Sequence, residues 1–258
     1  MDALEPDSYG EAFADVYDRW YGRVTDSDAC AARLRALVDE LGGGPLLELG
    51  VGTGRLALPL SRRGVEVTGL DASAAMLERL AAKAPSVTTV QADMAGLGTL
   101  ALERGPFAVV LVAYNTLFNL PDEGAQARCL AGAAAHLRPD GRLVVEAFVP
   151  AEQDADGRVD DLSVRRVETD EVVLTATLHD PLAQTISGQH VQITESGVRL
   201  RPWRVRYLHV AQLDALAADA GLSLVERWGD WDGTPFDEHS SVHVSVYRHE
   251  PPGSGPIP

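Results

Sequence analysis

The segment Glu48-Leu-Gly50-Val-Gly52-Thr-Gly54-Arg55 closes one apolar run of the chain, and Asp71 ends the next, 17 positions beyond Gly54. Glycines after a strand let a ligand come close to backbone, because a Cβ would collide with it and glycine alone takes positive φ cheaply. Asp71 is placed to accept hydrogen bonds from both hydroxyls of a ribose, the use doubly wound proteins make of an acid here. Glu48 would repel a pyrophosphate but could accept from an ammonium or an amide. A dinucleotide fingerprint needs its third glycine one position later, where Arg55 stands, so the spacing disfavours nicotinamide and flavin sites. Together these residues describe a cationic, ribose-bearing ligand without phosphate. The alternative is a tight structural turn, with Asp71 capping a helix.

Elements of definite kinds must position these residues. Pro45–Leu49, Val65–Leu70, Val87–Val90, Phe107–Val112 and Leu143–Phe148 are apolar runs of strand length. Helical stretches at 55–63, 73–84 and 122–137 fall between most of them, which is the alternation of a buried parallel sheet. Ser27–Leu41 is amphipathic, with Leu34, Leu37, Val38 and Leu41 on one stripe and Ser27 as its cap. Asp93 follows the third run and suits an N-cap. Arg138-Pro139-Asp140-Gly141 should turn a helix into the fifth strand.

The alternation breaks after residue 150. From Ser163 to Leu208 the chain is β-rich, with Glu171–Leu178, Thr185–Ile193 and Val198–Tyr207 joined by Asp180-Pro181 and Glu195-Ser196-Gly197, turn chemistry that suits an antiparallel meander. Val210–Ala220 reads as a helix, and Leu222–Trp228 with Val242–Tyr247 can finish the main sheet. The expected fold is α/β, a doubly wound Rossmann-like sheet made of residues 43–150 and 209–250. A helical cap occupies 1–42, an antiparallel β lid 151–208, and a disordered tail 251–258.

The motifs agree with one family. The chain resembles the class I S-adenosylmethionine-dependent methyltransferases over roughly residues 9 to 150, with a looser likeness beyond, because their first motif is an acid followed by Gly-x-Gly-x-Gly. That resemblance implies a seven-stranded sheet, S-adenosylmethionine as cofactor and S-adenosylhomocysteine as product. It implies a cofactor site of Glu48, Gly50, Gly52, Gly54, Arg55, Asp71, Ala72 and Ala113, with Asp93 and Met94 at the adenine and Met76 on its other face. The early Tyr17-Asp18-Arg19-Trp20-Tyr21 resembles the segment with which enzymes that N-methylate amino sugars or glycine close over the cofactor, so Tyr17 and Tyr21 join the site. An aromatic staple of the first helix is the alternative for those two. Ala113-Tyr114-Asn115-Thr116-Leu117-Phe118-Asn119 lacks the Asn-Pro-Pro-aromatic signature of adenine and glutamine methylation. Asn115 and Asn119 are expected at the acceptor instead.

Methyl transfer asks little of a protein. A nucleophile held in line at about 3 Å can gain on the order of 7 to 11 kcal/mol from proximity, whereas a general base typically adds about 10² to 10⁴ in rate. If a base exists, His179 and His190 in the lid are the candidates. Arg204 and Arg206, on one face beyond a bulge expected at Pro202, could hold a substrate carboxylate or phosphate, with a solvated edge strand as the alternative. Aminocarboxypropyl transfer or cyclisation, and a non-catalytic cofactor-binding subunit, remain open alternatives.

Composition narrows the partners. Thirty-eight acids against 22 Lys and Arg give a formal net charge of −16, which opposes nucleic acid and anionic membranes. A small-molecule acceptor is expected, with no nucleic acid or membrane partner and with a homodimer left open. Cys30 and Cys129 form no Cys-x-x-Cys pair, so a reduced, soluble, cytoplasmic chain without a metal site is expected.

Overall fold

A computed structural model describes residues 5–22, 24–150 and 159–250. The tail expected at 251–258 and the first part of the lid, 151–158, lie outside the described residues.

Two short helices, α1 (Ser8–Phe13) and α2 (Tyr17–Tyr21), precede α3 (Ser27–Glu40). Then follow β1 (Leu46–Leu49), α4 (Ala57–Arg62), β2 (Val67–Asp71), α5 (Ala74–Lys83), β3 (Thr88–Gln91) and β4 (Phe107–Val112). Next come α6 (Glu123–His136) and β5 (Leu137–Phe148), and after the insertion α7 (Val210–Asp219), with two further strands, Leu222–Trp228 and Val242–His249. The insertion is the meander β6 (Val159–Val167), β7 (Glu171–Asp180), β8 (Thr185–Thr194) and β9 (Gly197–Arg206), so the last two strands are β10 and β11. The main sheet runs β3-β2-β1-β4-β5-β11-β10, parallel from β3 to β5, with β11 antiparallel to both its neighbours. The β6-β7-β8-β9 sheet is antiparallel throughout.

Every residue of β4 is buried, as expected of a strand covered on both faces. One face packs Leu47, Leu49, Val110 and Val112 against α6 and α7; the other packs Leu46, Val109 and Leu111 against α3 and α4. Cys129 lies in the first layer and Cys30 in the second, both free, and burial pushes each thiol up to about 12. No helix among the described residues is long and apolar enough to cross a membrane.

Three local expectations are corrected. Asp26, not Ser27, caps α3 by accepting from Asp28 N and Ala29 N at 3.0 Å. Strand β5 takes over directly from α6, and a register shift opposite Phe107 and Val109 absorbs residues 138–141. The register of β8 with β9 is unbroken through Pro202, because β9 is an edge strand and proline's missing N–H is tolerated there. The bulge lies instead on β6, between Val164 and Arg166.

The first two helices are fastened to the insertion by charge. Arg201, 1% exposed, donates to Asp15 Oδ1 at 2.6 Å and Oδ2 at 2.9 Å, to Gln192 Oε1 and to the Ala12 carbonyl. Arg19 donates to both carboxylate oxygens of Glu171 on β7, at 2.5 and 2.7 Å. Helices and insertion thereby roof the carboxyl ends of the parallel strands.

Candidate active site

A cavity of about 480 Å³ lies under that roof, at the carboxyl ends of β1, β2 and β4. Its volume falls within the ordinary range for ligand pockets, about 300–1,000 Å³.

The glycine turn forms its floor. Gly50, Gly52 and Gly54 have φ of +65°, +55° and +87°, a region costly for other residues. A Cβ on Gly50 would sit 2.3 Å from Thr116 Cγ2, and one on Gly54 would sit 2.4 Å from Leu80 Cδ1. At Gly52 the nearest atom would be Tyr17 Cε1 at 4.0 Å, so this glycine keeps space open toward the cavity. Gly50 also lines the cavity, whereas Gly54 serves packing behind it.

Asp71 anchors the turn from the end of β2. Its Oδ2 accepts from Gly52 N at 2.8 Å and its Oδ1 from Ser73 N at 2.9 Å. Each carboxylate oxygen retains acceptor capacity for a hydroxyl. Burial raises the Asp71 carboxyl above its ordinary value, opposed by those backbone donors. Asp71, Ala72, Met76, Asp93 and Met94 all line the cavity. Asp93 also caps a 3-10 turn by accepting from Ala95 N at 2.9 Å, so the capping reading and the wall position coexist.

Besides Gly54, three residues expected at the cofactor stand behind the wall. Glu48 is buried in β1 and its Oε2 has no hydrogen-bond partner; burial pushes its carboxyl up to about 8, against the pull of Arg55. Arg55 lies 4.9 Å over the Tyr114 ring and donates to Thr25 Oγ1. Ala113 is buried in the core beneath Tyr114. Glu48, protonated at neutral pH, yields a testable sign. A folded carboxyl value raised from 4.5 to about 8 means stability is lost as pH climbs through that window and levels off above it. Glu48→Gln is therefore expected to melt progressively higher than wild type between pH 5 and 8, in thermal unfolding scans. Parallel curves would place Glu48 at its ordinary value.

The opposite wall is aromatic. Tyr17 stacks on Tyr21 with centroids 4.8 Å apart, and Tyr21 meets Tyr114 edge-on at 6.3 Å. Burial raises the hydroxyls of Tyr9, Tyr17 and Tyr114 above their ordinary value, so all three stay protonated as donors. His190, 3% exposed, is ringed by Phe13, Trp20 and Trp203 at 5.6 to 5.8 Å. Its Nδ1 is 2.9 Å from Thr175 Oγ1 and its Nε2 3.4 Å from the Tyr21 hydroxyl. Burial, then Arg165 and Arg201, lower its imidazole to about 4, so it is neutral at pH 7.

Tyr114 and Asn115 have φ of +48° and +63°, an uncommon conformation for two successive residues other than glycine. The segment is held there by Tyr114 N donating to Glu146 Oε2 at 2.8 Å and Phe148 N donating to Asn115 Oδ1 at 2.7 Å. Asn115 and Asn119 both line the cavity.

The other lid residues need correction. His179 shares a face of β7 with Thr175 and Thr177 but lies past the rim, where its Nε2 is 2.9 Å from the Tyr207 hydroxyl. Arg206 donates to Gln126 Oε1 and Glu123 Oε2 on α6, at 2.7 and 2.9 Å. Arg204 pairs with Ser187 on the outer face, so neither arginine lines the cavity. Sequence reasoning missed Tyr9, Tyr114, Arg165, Thr175, Thr177 and Trp203, which do. The available signal was alternation on β7, which puts Thr175 and Thr177 on one face. No three His, Cys, Asp or Glu side chains among the described residues gather to hold a metal ion.

A glycine turn with two acids, Asp71 and Asp93, lining a cavity at the switch point of a doubly wound sheet is the layout of a nucleoside-binding α/β protein. Residues 46–141 match the family described as "Methyltransferase domain". The structure is similar to the CcbJ methyltransferase from Streptomyces caelestis, at 40% identity, 96% coverage of this chain, 100% of that chain and a TM-score of 0.85. The sequence is 27% identical over 254 residues to the cypemycin N-terminal methyltransferase of a Streptomyces species, covering 95% of this chain and 99% of that protein. It is also 28% identical over 216 residues to the dTDP-3-amino-3,4,6-trideoxy-alpha-D-glucopyranose N,N-dimethyltransferase of Streptomyces venezuelae, covering 81% and 89% respectively. The chain belongs to the class I S-adenosylmethionine-dependent methyltransferases. It transfers a methyl group from S-adenosylmethionine to a small molecule.

Proposed function

We propose that the acceptor is an amine on a small natural-product intermediate, with an amino sugar as the leading class. The supporting observation is the lining of the cavity, which combines the aromatic rings of Tyr17, Tyr21, Tyr114 and Trp203 with the uncharged polar groups of Thr175, Thr177 and Asn119. Such a surface packs the C–H face of a sugar and exchanges hydrogen bonds with its hydroxyls. The relatives named for N-methylation of a peptide terminus and of an amino sugar lend the nitrogen reading support.

The open space at Gly52 and the acceptor oxygens of Asp71 fit S-adenosylmethionine, with Asp93, Met94 and Met76 at the adenine. When bound, that cofactor supplies an electrophilic methyl on a sulfonium. The protein's own residues then orient the amine. Arg165, whose guanidinium lies 4.6 Å over the Tyr21 ring, disfavours a second positive charge nearby and so favours the neutral, nucleophilic amine. The Tyr21 hydroxyl and His190 Nε2 form a short path that can take a hydrogen bond from it. A base near 4 holds a proton weakly, so positioning carries most of the rate.

Two measurements test this. Wild-type enzyme given amino sugars, simple amines and matched alcohols should yield N-methylated products; methylation at oxygen alone would overturn the amine reading. His190→Phe, which keeps the aromatic packing, is expected to lower kcat by about tenfold to a hundredfold, at or below the low end for a general base, with cofactor Kd unchanged. Wild-type kcat and KM in His190→Phe would reduce His190 to packing.

A further inference from the structure

Several buried polar atoms have no hydrogen-bond partner among the described residues, and Trp203 Nε1 is the one that belongs to a residue lining the cavity. Buried polar groups in folded proteins are nearly always paired, so an orphaned donor on a ligand-facing side chain calls for an acceptor. Register shows how it is presented. Thr177 on β7 lies opposite Gly188 on β8, and Gly188 lies opposite Trp203 on β9. All three therefore share one row on the cavity side of the inserted sheet. The Trp203 side chain reaches along that row and covers Gly188, where a Cβ would stand 2.3 Å from Cε2 and Cζ2 and 2.7 Å from Nε1. A glycine inside a strand weakens it and often marks a close approach. Here the approach is by the indole, whose N–H is thereby carried from β9 to within about 5 Å of Thr177, the usual separation of opposed side chains.

We propose that Trp203 and Thr177 form a hydroxyl-recognition subsite for the acceptor. One hydroxyl oxygen accepts from Trp203 Nε1 and donates to Thr177 Oγ1, while the saturated ring that carries it lies against the indole. This deepens the reading of the acceptor as a hydroxylated amine and rests on it. The donor-only character of the indole gives the subsite its direction. An ammonium group offers it no acceptor, so the reacting amine is held elsewhere. His190, whose Nε2 reaches the Tyr21 hydroxyl, stands two residues back along β8 from Gly188's row, about 7 Å away at the ordinary rise. Hydroxyl and amine therefore belong to different carbons of one ring-sized molecule.

Saturation-transfer NMR titrations in the presence of S-adenosylhomocysteine, which cannot donate a methyl group, test the subsite apart from turnover. The probes are glucosamine, cyclohexylamine, which has the amine and ring without hydroxyls, and methyl glucoside, which has the hydroxyls without the amine. Trp203→Phe keeps an aromatic ring and loses the N–H. It is expected to weaken glucosamine and methyl glucoside by about twofold to tenfold, the value of one neutral hydrogen bond, and to leave cyclohexylamine and cofactor Kd unchanged. Thr177→Val should discriminate the same probes in the same sense. Gly188→Ala, which drives the indole off the strand, should weaken all three probes with an unchanged circular dichroism spectrum. A Trp203→Phe variant that binds glucosamine as wild type does, or that loses cyclohexylamine equally, would overturn the proposal, as would a wild type that binds neither glucosamine nor methyl glucoside. Methylation at oxygen alone would sink the amine reading yet leave this subsite standing if methyl glucoside responds to Trp203→Phe. N-methylated products together with a Trp203→Phe variant that discriminates nothing would remove the subsite alone.

Discussion

Asp71→Ala is expected to weaken S-adenosylmethionine binding between about tenfold and several hundredfold by calorimetry. The carboxylate has two tasks: it holds Gly52 N and Ser73 N, and its remaining lone pairs face the place where a ribose would lie. Hydrogen bonds to a charged acceptor contribute about 1.5–3 kcal/mol each, and every 1.4 kcal/mol is about tenfold in affinity. Asp71→Asn, which keeps one acceptor oxygen, should fall between the alanine variant and wild type. Unchanged affinity in Asp71→Ala, with a normal melting curve, would remove the ribose role.

Asp15→Ala is expected to cost about 3 kcal/mol of stability, the low end for breaking a buried pair, and so to lower Tm by roughly 6–12 °C at this chain length. The cost arises because Arg201, 1% exposed, keeps its charge and loses its carboxylate. The low end applies because Asp15 itself is exposed, so only one member of the pair is buried. Adding Arg201→Met should recover part of the loss, since no buried charge is then left unpaired. The Arg201 hydrogen bond holds the Asp15 carboxyl below its ordinary value. Its contribution is therefore full above about pH 4 and fades as pH falls through the lower folded value. Calorimetric scans at pH 7 and pH 3 check both points: a Tm within a degree of wild type at pH 7 would show that the network is ornamental.

The central strands were legible because burial on both faces leaves an unbroken apolar run, as in Phe107–Val112. Strand β6 was not, since Asp160, Asp161, Arg165 and Arg166 give it the composition of a loop, and only pairing with β7 makes it a strand. Pro202 suggested a bulge because proline lacks an N–H, but an edge strand does not need that donor. The glycine turn was read as a ligand cradle at three positions. The structure gives that space to Gly52, while Gly50 and Gly54 let Thr116 and Leu80 approach. His179 and His190 carry equal signals in sequence. Register decides between them, setting His190 opposite Thr175 and Arg201, inside the aromatic wall. Tyr9 and Tyr114 escaped because neither motif spacing nor periodicity marks them; α1 packing and a strained corner after β4 bring them in.

The most direct measurement is identification of both products of a single reaction, run with S-adenosylmethionine carrying an isotopically labelled methyl group and a turned-over amine. The label should appear on the acceptor nitrogen, with S-adenosylhomocysteine formed in equal amount. Methylthioadenosine as the co-product, with an unlabelled acceptor methyl position, would contradict methyl transfer as the activity of this site.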